Sequence, residues 1–323
     1  MDNDLLTVIL SVYNHKETFK QAIDSVLEQK TNFNFKIWVL DDASNDGTSD
    51  IVREYAQKYP EKVIPFINRI NQKGKHIRSV IRNIKSKYYT ILETDDCWCD
   101  ENKLQMQIDI LENNPDCSMC AHNTIRKYTE YNKQETYIHA SEGKYSLPDK
   151  KLTHKYYIEP HTSSRIYRTS CIDSKEIQDM GLIVYDVCTV FYFLTKGNLY
   201  YIDKIMSVYN YTGSGVYSAS HSYKNRYKAA LGIYNLNKQL NFKYNYLLAR
   251  FFATRLNLNF ILSYNLKTCT DNKKLELMFE KNLKSFFDKN LKLTDKKPIW
   301  KADIPVAPNK RLCVEISREK DLC

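Results

Sequence analysis

The sequence predicts an α/β fold: a sheet flanked by helices, followed by a basic, mainly helical C-terminal region. Three observations predict it. Short apolar runs rich in β-branched residues alternate with segments of helical spacing over the first third of the chain. Polar clusters follow three of the four runs, at Ser11–Asn14, Asp41–Asp42 and Asp95–Asp96. The last third changes in pattern and in charge, with 21 Lys/Arg against 9 Asp/Glu in residues 221–323 of a chain whose net charge is +10. Residues 1–220 are therefore close to neutral.

Each element has its own signal. Leu6–Val12 reads as a buried strand. Lys16–Glu28 reads as a helix with Phe19, Ile23, Val26 and Leu27 on one face. Phe35–Leu40 is a second strand. Thr48–Lys58 is a second helix, entered through Asp46-Gly47-Thr48, which supplies turn and N-cap chemistry. Lys62–Ile67 is a third strand, Ile77–Ile84 a helix, Tyr88–Leu92 a fourth strand and Lys103–Leu111 another helix. Strands separated by helices predict parallel pairing. From residue 117 to 218 shorter strands are expected, at Ser163–Arg168 and Leu199–Ile202. Helices are expected at Arg226–Leu240, Tyr244–Tyr264 and Lys273–Lys289, then a strand-like Arg311–Ile316. The expected organisation is residues 1–220, a basic helical region 221–297, and a tail 298–323 that either docks or begins a further module.

The 323 residues suit one large domain or a domain with an appendage. The start, Met1-Asp2-Asn3-Asp4, has no basic n-region, and the apolar run Leu5–Val12 is too short for a signal or a membrane span. The expectation is a cytoplasmic protein, peripheral at the inner face of the plasma membrane if the basic region meets anionic lipid. Nine scattered cysteines do not form a disulfide framework. Cys97-x-Cys99 and Cys117-x-x-Cys120 raise a structural zinc site, but the spacing is unusual for one and unligated thiols are the favoured reading.

In open α/β sheets ligands bind beyond the carboxyl ends of the strands. The three polar clusters would converge there. Two carboxylates at the end of a buried strand are costly unless a cation neutralises them, and hard oxygen donors suit Mg²⁺ or Mn²⁺. Such a metal typically bridges carboxylates to a substrate's phosphates. Asn71–Arg78 adds Lys73, Lys75 and Arg78, of which Arg78 is the first choice to meet a diphosphate through its bidentate fork.

Thr7–Asn14, Val39–Thr48, Ile91–Trp98, Asp100–Pro115, Pro160–Ser164, Asp186 and Tyr200–Tyr209, in that order and spacing, resemble family 2 glycosyltransferases of the GT-A fold. The resemblance covers roughly residues 5–220 and is of the bacterial surface-polysaccharide type. It implies a Rossmann-type mixed sheet and an inverting transfer from a nucleotide-diphosphate sugar, a UDP-sugar by preference, to a hydroxyl of a glycan or lipid-linked glycan acceptor. It places Ser11, Tyr13 and Asn14 around the nucleotide and Asp41 on the base, with Asp42 beside it. It places Asp96 on the metal, Asp95 on metal or ribose, and Glu93 where many members carry the first Asp of their acidic motif. Asp186 falls at the catalytic base, where the chemistry needs a proton acceptor, and His161 on the acceptor side. Many relatives carry a histidine shortly after Val208-Tyr209; here that position is Thr212, with His221 further on.

Two other classes compete. A nucleotidyltransferase would show a glycine-rich basic loop after the first strand, where this chain has Ser11–Asn14. A non-catalytic nucleotide-sugar-binding module would not need Asp41, Asp95, Asp96 and Asp186 together. No G-x-G-x-x-G marks a dinucleotide enzyme, and no nucleic-acid motif accompanies the basic region.

Overall fold

The computed structural model describes residues 4–74, 76–128, 131–147, 159–173, 186–211, 236, 239–240, 300–307 and 310–316. The chain divides into two units, Met1–Ser220 and His221–Cys323.

The first unit opens with β1 (Leu6–Val12), α1 (Lys16–Leu27), β2 (Phe35–Asp41), α2 (Thr48–Lys58), β3 (Val63–Ile67), α3 (His76–Ile81) and β4 (Tyr88–Glu93). It continues through β5 (Cys97–Trp98), α4 (Lys103–Asn113), β6 (Cys117–Tyr128), β7 (Lys133–Thr136), β8 (Gly143–Tyr145), β9 (Ile166–Arg168), α5 (Asp186–Lys196) and β10 (Asn198–Tyr211). The sheet runs β3-β2-β1-β4-β9-β6-β10-β5, with β7 on β6 and β8 on β10. The β3-β2-β1-β4 half is parallel. β9 then lies antiparallel between β4 and β6, so the sheet is mixed.

Leu6, Val8, Ile9 and Leu10 are fully buried, since β1 has parallel neighbours on both sides and cover on both faces. Each such side chain contributes about 1.5–3 kcal/mol on burial. The apolar face of α1, with Phe19, Ala22, Ile23 and Val26, joins this core. Gln29, just past α1, ties it to α4. Its amide donates to the Ser25 and Asp100 carbonyls, and its Oε1 accepts the Leu104 N–H in the first turn of α4, which would otherwise lack a partner.

Three expectations are corrected. α3 ends at Ile81 rather than Ile84, where a turn begins. The Ser163–Arg168 segment is a 3₁₀ turn, Thr162–Ser164, followed by the short β9. Leu199–Ile202 is only the start of a 14-residue strand, β10, paired with a 12-residue β6 that the sequence reading did not separate. Both strands carry polar residues at buried positions, among them His122, Asn123, Thr124 and Ser207, which hide the apolar alternation of strands.

In the second unit β11 (Trp300–Ala307) and β12 (Lys310–Ile316) form an antiparallel hairpin, of which the sequence signalled only the second strand. The helices expected at 226–240, 244–264 and 273–289 lie outside the described residues, apart from positions 236, 239 and 240. Among the described residues, no helix is long and apolar enough to cross a membrane.

Candidate active site

Register builds the site. β1 lies between β2 and β4, so the loops leaving these three parallel strands open at one edge. Ser11 is level with Leu40 on β2 and with Glu93 on β4, and Val12 is level with Asp41. The strand order reverses at β1, the position where open α/β sheets bind ligands.

The loop after β1 turns at Asn14, whose φ of 55° is tolerated better by Asn than by most residues. Its N–H donates to Ser44 Oγ (2.9 Å) and its Oδ1 accepts from the Asn45 N–H (2.9 Å). The β1 and β2 loops therefore hold each other. Asp46 joins the helices behind them, accepting the N–H of Lys16 at the start of α1 and the N–H and hydroxyl of Thr48 at the start of α2. Burial works against its charge, but these hydrogen bonds hold the carboxyl below its ordinary range. Tyr13 is 43% exposed at the same edge.

Asp41 and Asp42 are both buried and serve different loops. Asp41 Oδ1 accepts the Ser44 N–H (2.9 Å) and Oδ2 accepts the Ser49 hydroxyl, which shapes the turn into α2. Asp42 accepts from Asn68 Nδ2 (2.9 Å), the Gln72 N–H (2.8 Å) and the Gly74 N–H (3.0 Å). It thus fixes the loop 68–74 that leads towards α3. Both carboxylates are engaged by their own loops.

Beyond β4 lies the acidic turn. Glu93 is exposed, Asp95 half-buried and Asp96 buried, and one carboxylate oxygen from each lies within 4.8 Å of the others. Thr94, between them, is buried; its hydroxyl donates to the Ser11 carbonyl (3.2 Å) and meets His15 Nδ1 (2.9 Å). The Asp96 N–H closes the turn onto the Glu93 carbonyl (3.0 Å). Three carboxylates so close, one of them buried, repel each other, and a bound cation is one way to relieve that repulsion. An all-oxygen donor set of this kind fits Mg²⁺ or Mn²⁺.

Asp96 also has neighbours from distant segments. The Asn210 N–H donates to its Oδ1 (3.0 Å), and Asn210 Nδ2 donates to the Asp95 carbonyl (2.8 Å). His161 Nδ1 lies 3.6 Å from Asp96 Oδ2, beyond hydrogen-bond reach. The imidazole stacks on Tyr209 (centroids 4.2 Å, 25° between planes) and bonds Ser163 Oγ through Nδ1 (2.8 Å). Burial, then the charge of Asp96, pushes the Tyr209 hydroxyl well above its ordinary range. β5 is anchored by Trp98, whose N–H donates to Ser25 Oγ (3.1 Å) and whose indole N–H donates to the Ser163 carbonyl (2.8 Å).

The structure therefore gathers Ser11, Tyr13, Asn14, Asp41, Asp42, Glu93, Asp95 and Asp96 at the strand ends, and brings His161 beside Asp96. Arg78 lies on α3 and Asp186 is the first residue of α5, but the side chains of both are outside the described residues, as are Lys75, Thr212 and His221. Sequence reasoning missed His15, Thr94 and Asn210. Asn210 directly follows the Tyr200–Tyr209 motif, so its place was marked but not its role. Cys97, Cys99, Cys117 and Cys120 are free thiols. Among the described residues, the one group of ligand-type side chains close enough to share an ion is the carboxylate trio.

Comparison with known proteins agrees with this geometry. Residues 7–173 match the model of glycosyl transferase family 2, more than half of the chain. The chain belongs to that family and has its GT-A fold. It is similar to an uncharacterized Mycobacterium tuberculosis protein, with 32% identity over 119 residues (36% of this chain, 34% of that one). The chain thus spans about a third of the length of the first curated relatives it matches. A broader match is to a dTDP-rhamnosyl transferase of Shigella flexneri, 26% identical over 238 residues, covering 68% of this chain and 77% of that one. Among solved structures, S. aureus TarS (residues 1–349, in complex with UDP-GlcNAc) aligns with a TM-score of 0.58 at 15% identity, covering 97% of this chain and 99% of that one.

Proposed function

We propose that this glycosyltransferase moves a sugar, with inversion, from a nucleotide-diphosphate donor to a hydroxyl of a bacterial surface glycan such as capsule, lipo-oligosaccharide or a similar polymer. One observation carries the reading: the trio Glu93, Asp95 and Asp96 sits level with Ser11 and the Asp41 loop at the strand ends. UDP is the favoured nucleotide, supported by TarS, whose structure holds UDP-GlcNAc. The Shigella relative makes dTDP-sugars the nearest alternative donor.

Ser11, Tyr13 and Asn14 would line the nucleotide, with Tyr13 offering an exposed ring to the base. Asp41 would complete the base side, with Asp42 supporting it through the loop 68–74. Asp96 and Asp95, with Glu93, would hold Mg²⁺ or Mn²⁺, which when bound neutralises charge on the diphosphate leaving group. Arg78 would approach the same diphosphate, and His161 would face the acceptor side.

Inversion needs the acceptor oxygen to attack the anomeric carbon opposite the diphosphate, losing its proton as the carbon–oxygen bond to the diphosphate breaks. Asp186 would take that proton. Asp186→Asn should abolish transfer while leaving nucleotide binding intact; unchanged turnover removes Asp186 from the mechanism.

The excess of basic residues in 221–323 supports a second partner, an anionic membrane surface. Flotation with anionic vesicles should carry the protein at low salt and release it at high salt. Equal flotation with neutral vesicles contradicts this.

A further inference from the structure

The antiparallel ladder between β5 and β10 ends where the acidic turn begins. Ser207 pairs with Trp98 and Val208 with Cys97. Continued by two residues, the same register would set Tyr209 opposite Asp96 and Asn210 opposite Asp95. The described ladder stops short of this, and side chains take over. The Asn210 N–H, which a longer ladder would give to a backbone carbonyl, goes to Asp96 Oδ1, and the Asn210 amide takes the Asp95 carbonyl. One residue thus grips both members of the pair, one through its side chain and the other through its backbone peptide. It reaches across 114 and 115 positions of sequence. Its own backbone is held from the other side, where Asn210 pairs with Lys127 on β6.

We propose that Asn210 is a positioning residue for the cation held by Asp95 and Asp96. Its two hydrogen bonds fix the peptide of Asp95 and one carboxylate oxygen of Asp96 before any ligand arrives, so the backbone that carries the pair and the Asp96 carboxylate need no reordering when the cation binds. Groups that orient metal ligands in this way are worth roughly 10–100-fold in affinity. The inference rests on the metal reading proposed above and assigns a residue that the acidic motif does not contain.

The test uses the full chain, with Mn²⁺ as probe in the presence of UDP, and binding read by isothermal titration calorimetry and by the paramagnetic signal of free Mn²⁺. Asn210→Ala removes the bond to Asp95 and keeps the N–H to Asp96. Asn210→Ser is the second variant, with a polar side chain too short to reach the carbonyl. Asn198→Ala is the control, because it removes a similar amide bond, from Asn198 Nδ2 to Asp116 Oδ2 (2.8 Å), at the far end of the same strand. Metal-free melting temperatures report folding for all three. Both Asn210 variants should bind Mn²⁺ about tenfold more weakly, while Asn198→Ala keeps wild-type affinity. Wild-type affinity in both Asn210 variants overturns the proposal, and so does an equal loss in Asn198→Ala. Absence of Mn²⁺ uptake by the wild type overturns the metal reading, and the clamp with it.

Discussion

Lys103 carries its ammonium into the core. It is fully buried in the first turn of α4, with Nζ 4.0 Å from the centre of the Trp98 ring and no hydrogen-bond partner. The cation–π contact returns about 0.5–2 kcal/mol, less than the full cost of desolvating a charge. Burial pulls its pKa down to about 7, against a small opposing pull from Cys120. The unfolded lysine titrates near 10.4. Between these values the unfolded chain holds a proton that the folded chain lacks, so stability rises with pH from about 7 to about 10. At and below about pH 7 the burden is largest. Lys103→Met should therefore raise the melting temperature, most near pH 6–7 and less towards pH 10. Calorimetry across that range checks it, and a lower melting temperature with an unchanged pH slope contradicts it. Site residues differ in how legible they were. Asp95 and Asp96 stand out because adjacent carboxylates after a buried run are unusual. Asn210 does not, because an Asn near a strand end is ordinary until its partners are known.

The elements show the same division. β1, β2 and β4 were legible because buried parallel strands are apolar along their whole length. Of their helices, α1 carried an apolar face and α2 an entry turn, Asp46-Gly47-Thr48, in which Asp46 accepts the Thr48 N–H. β6 and β10 were not legible at their true lengths: they bury polar residues that hydrogen-bond each other, as Thr124 does with Ser207 (2.9 Å), and β10 shifts register around Ile205. Such partnerships are three-dimensional and leave no periodic trace. The junction between α5 and β10 gives a test of packing at this scale. Gly197 sits there because an added Cβ would lie 2.8 Å from the Asp116 carbonyl oxygen and 2.9 Å from the Ser118 nitrogen, both backbone atoms with little room to yield. Gly197→Ala should cost about 1–3 kcal/mol, read as a lower denaturation midpoint. A wild-type midpoint would show that the α5–β10 corner is softer than its contacts indicate.

At the scale of the whole molecule, the fold makes a ligand site from segments that the sequence keeps far apart. The strand-order reversal at β1 places the loops of β1, β2 and β4 at one edge. The long β10 returns to the acidic turn from the opposite half of the sheet. That the chain is a family 2 glycosyltransferase could be read from motif order, because the family's residues cluster at strand ends. Which nucleotide, sugar and acceptor it uses could not, because pocket shape depends on contacts between loops. The central claim is that the trio at Asp95–Asp96 binds a nucleotide-sugar through a divalent cation. It is tested most directly by calorimetric titration of UDP, dTDP and GDP into the full chain, with and without Mn²⁺, in wild type and Asp96→Asn. The account predicts that one nucleotide, UDP by preference, binds wild type tightly only with Mn²⁺, and that Asp96→Asn removes the metal-dependent part. Equal nucleotide binding with and without Mn²⁺, unaltered by Asp96→Asn, would contradict it.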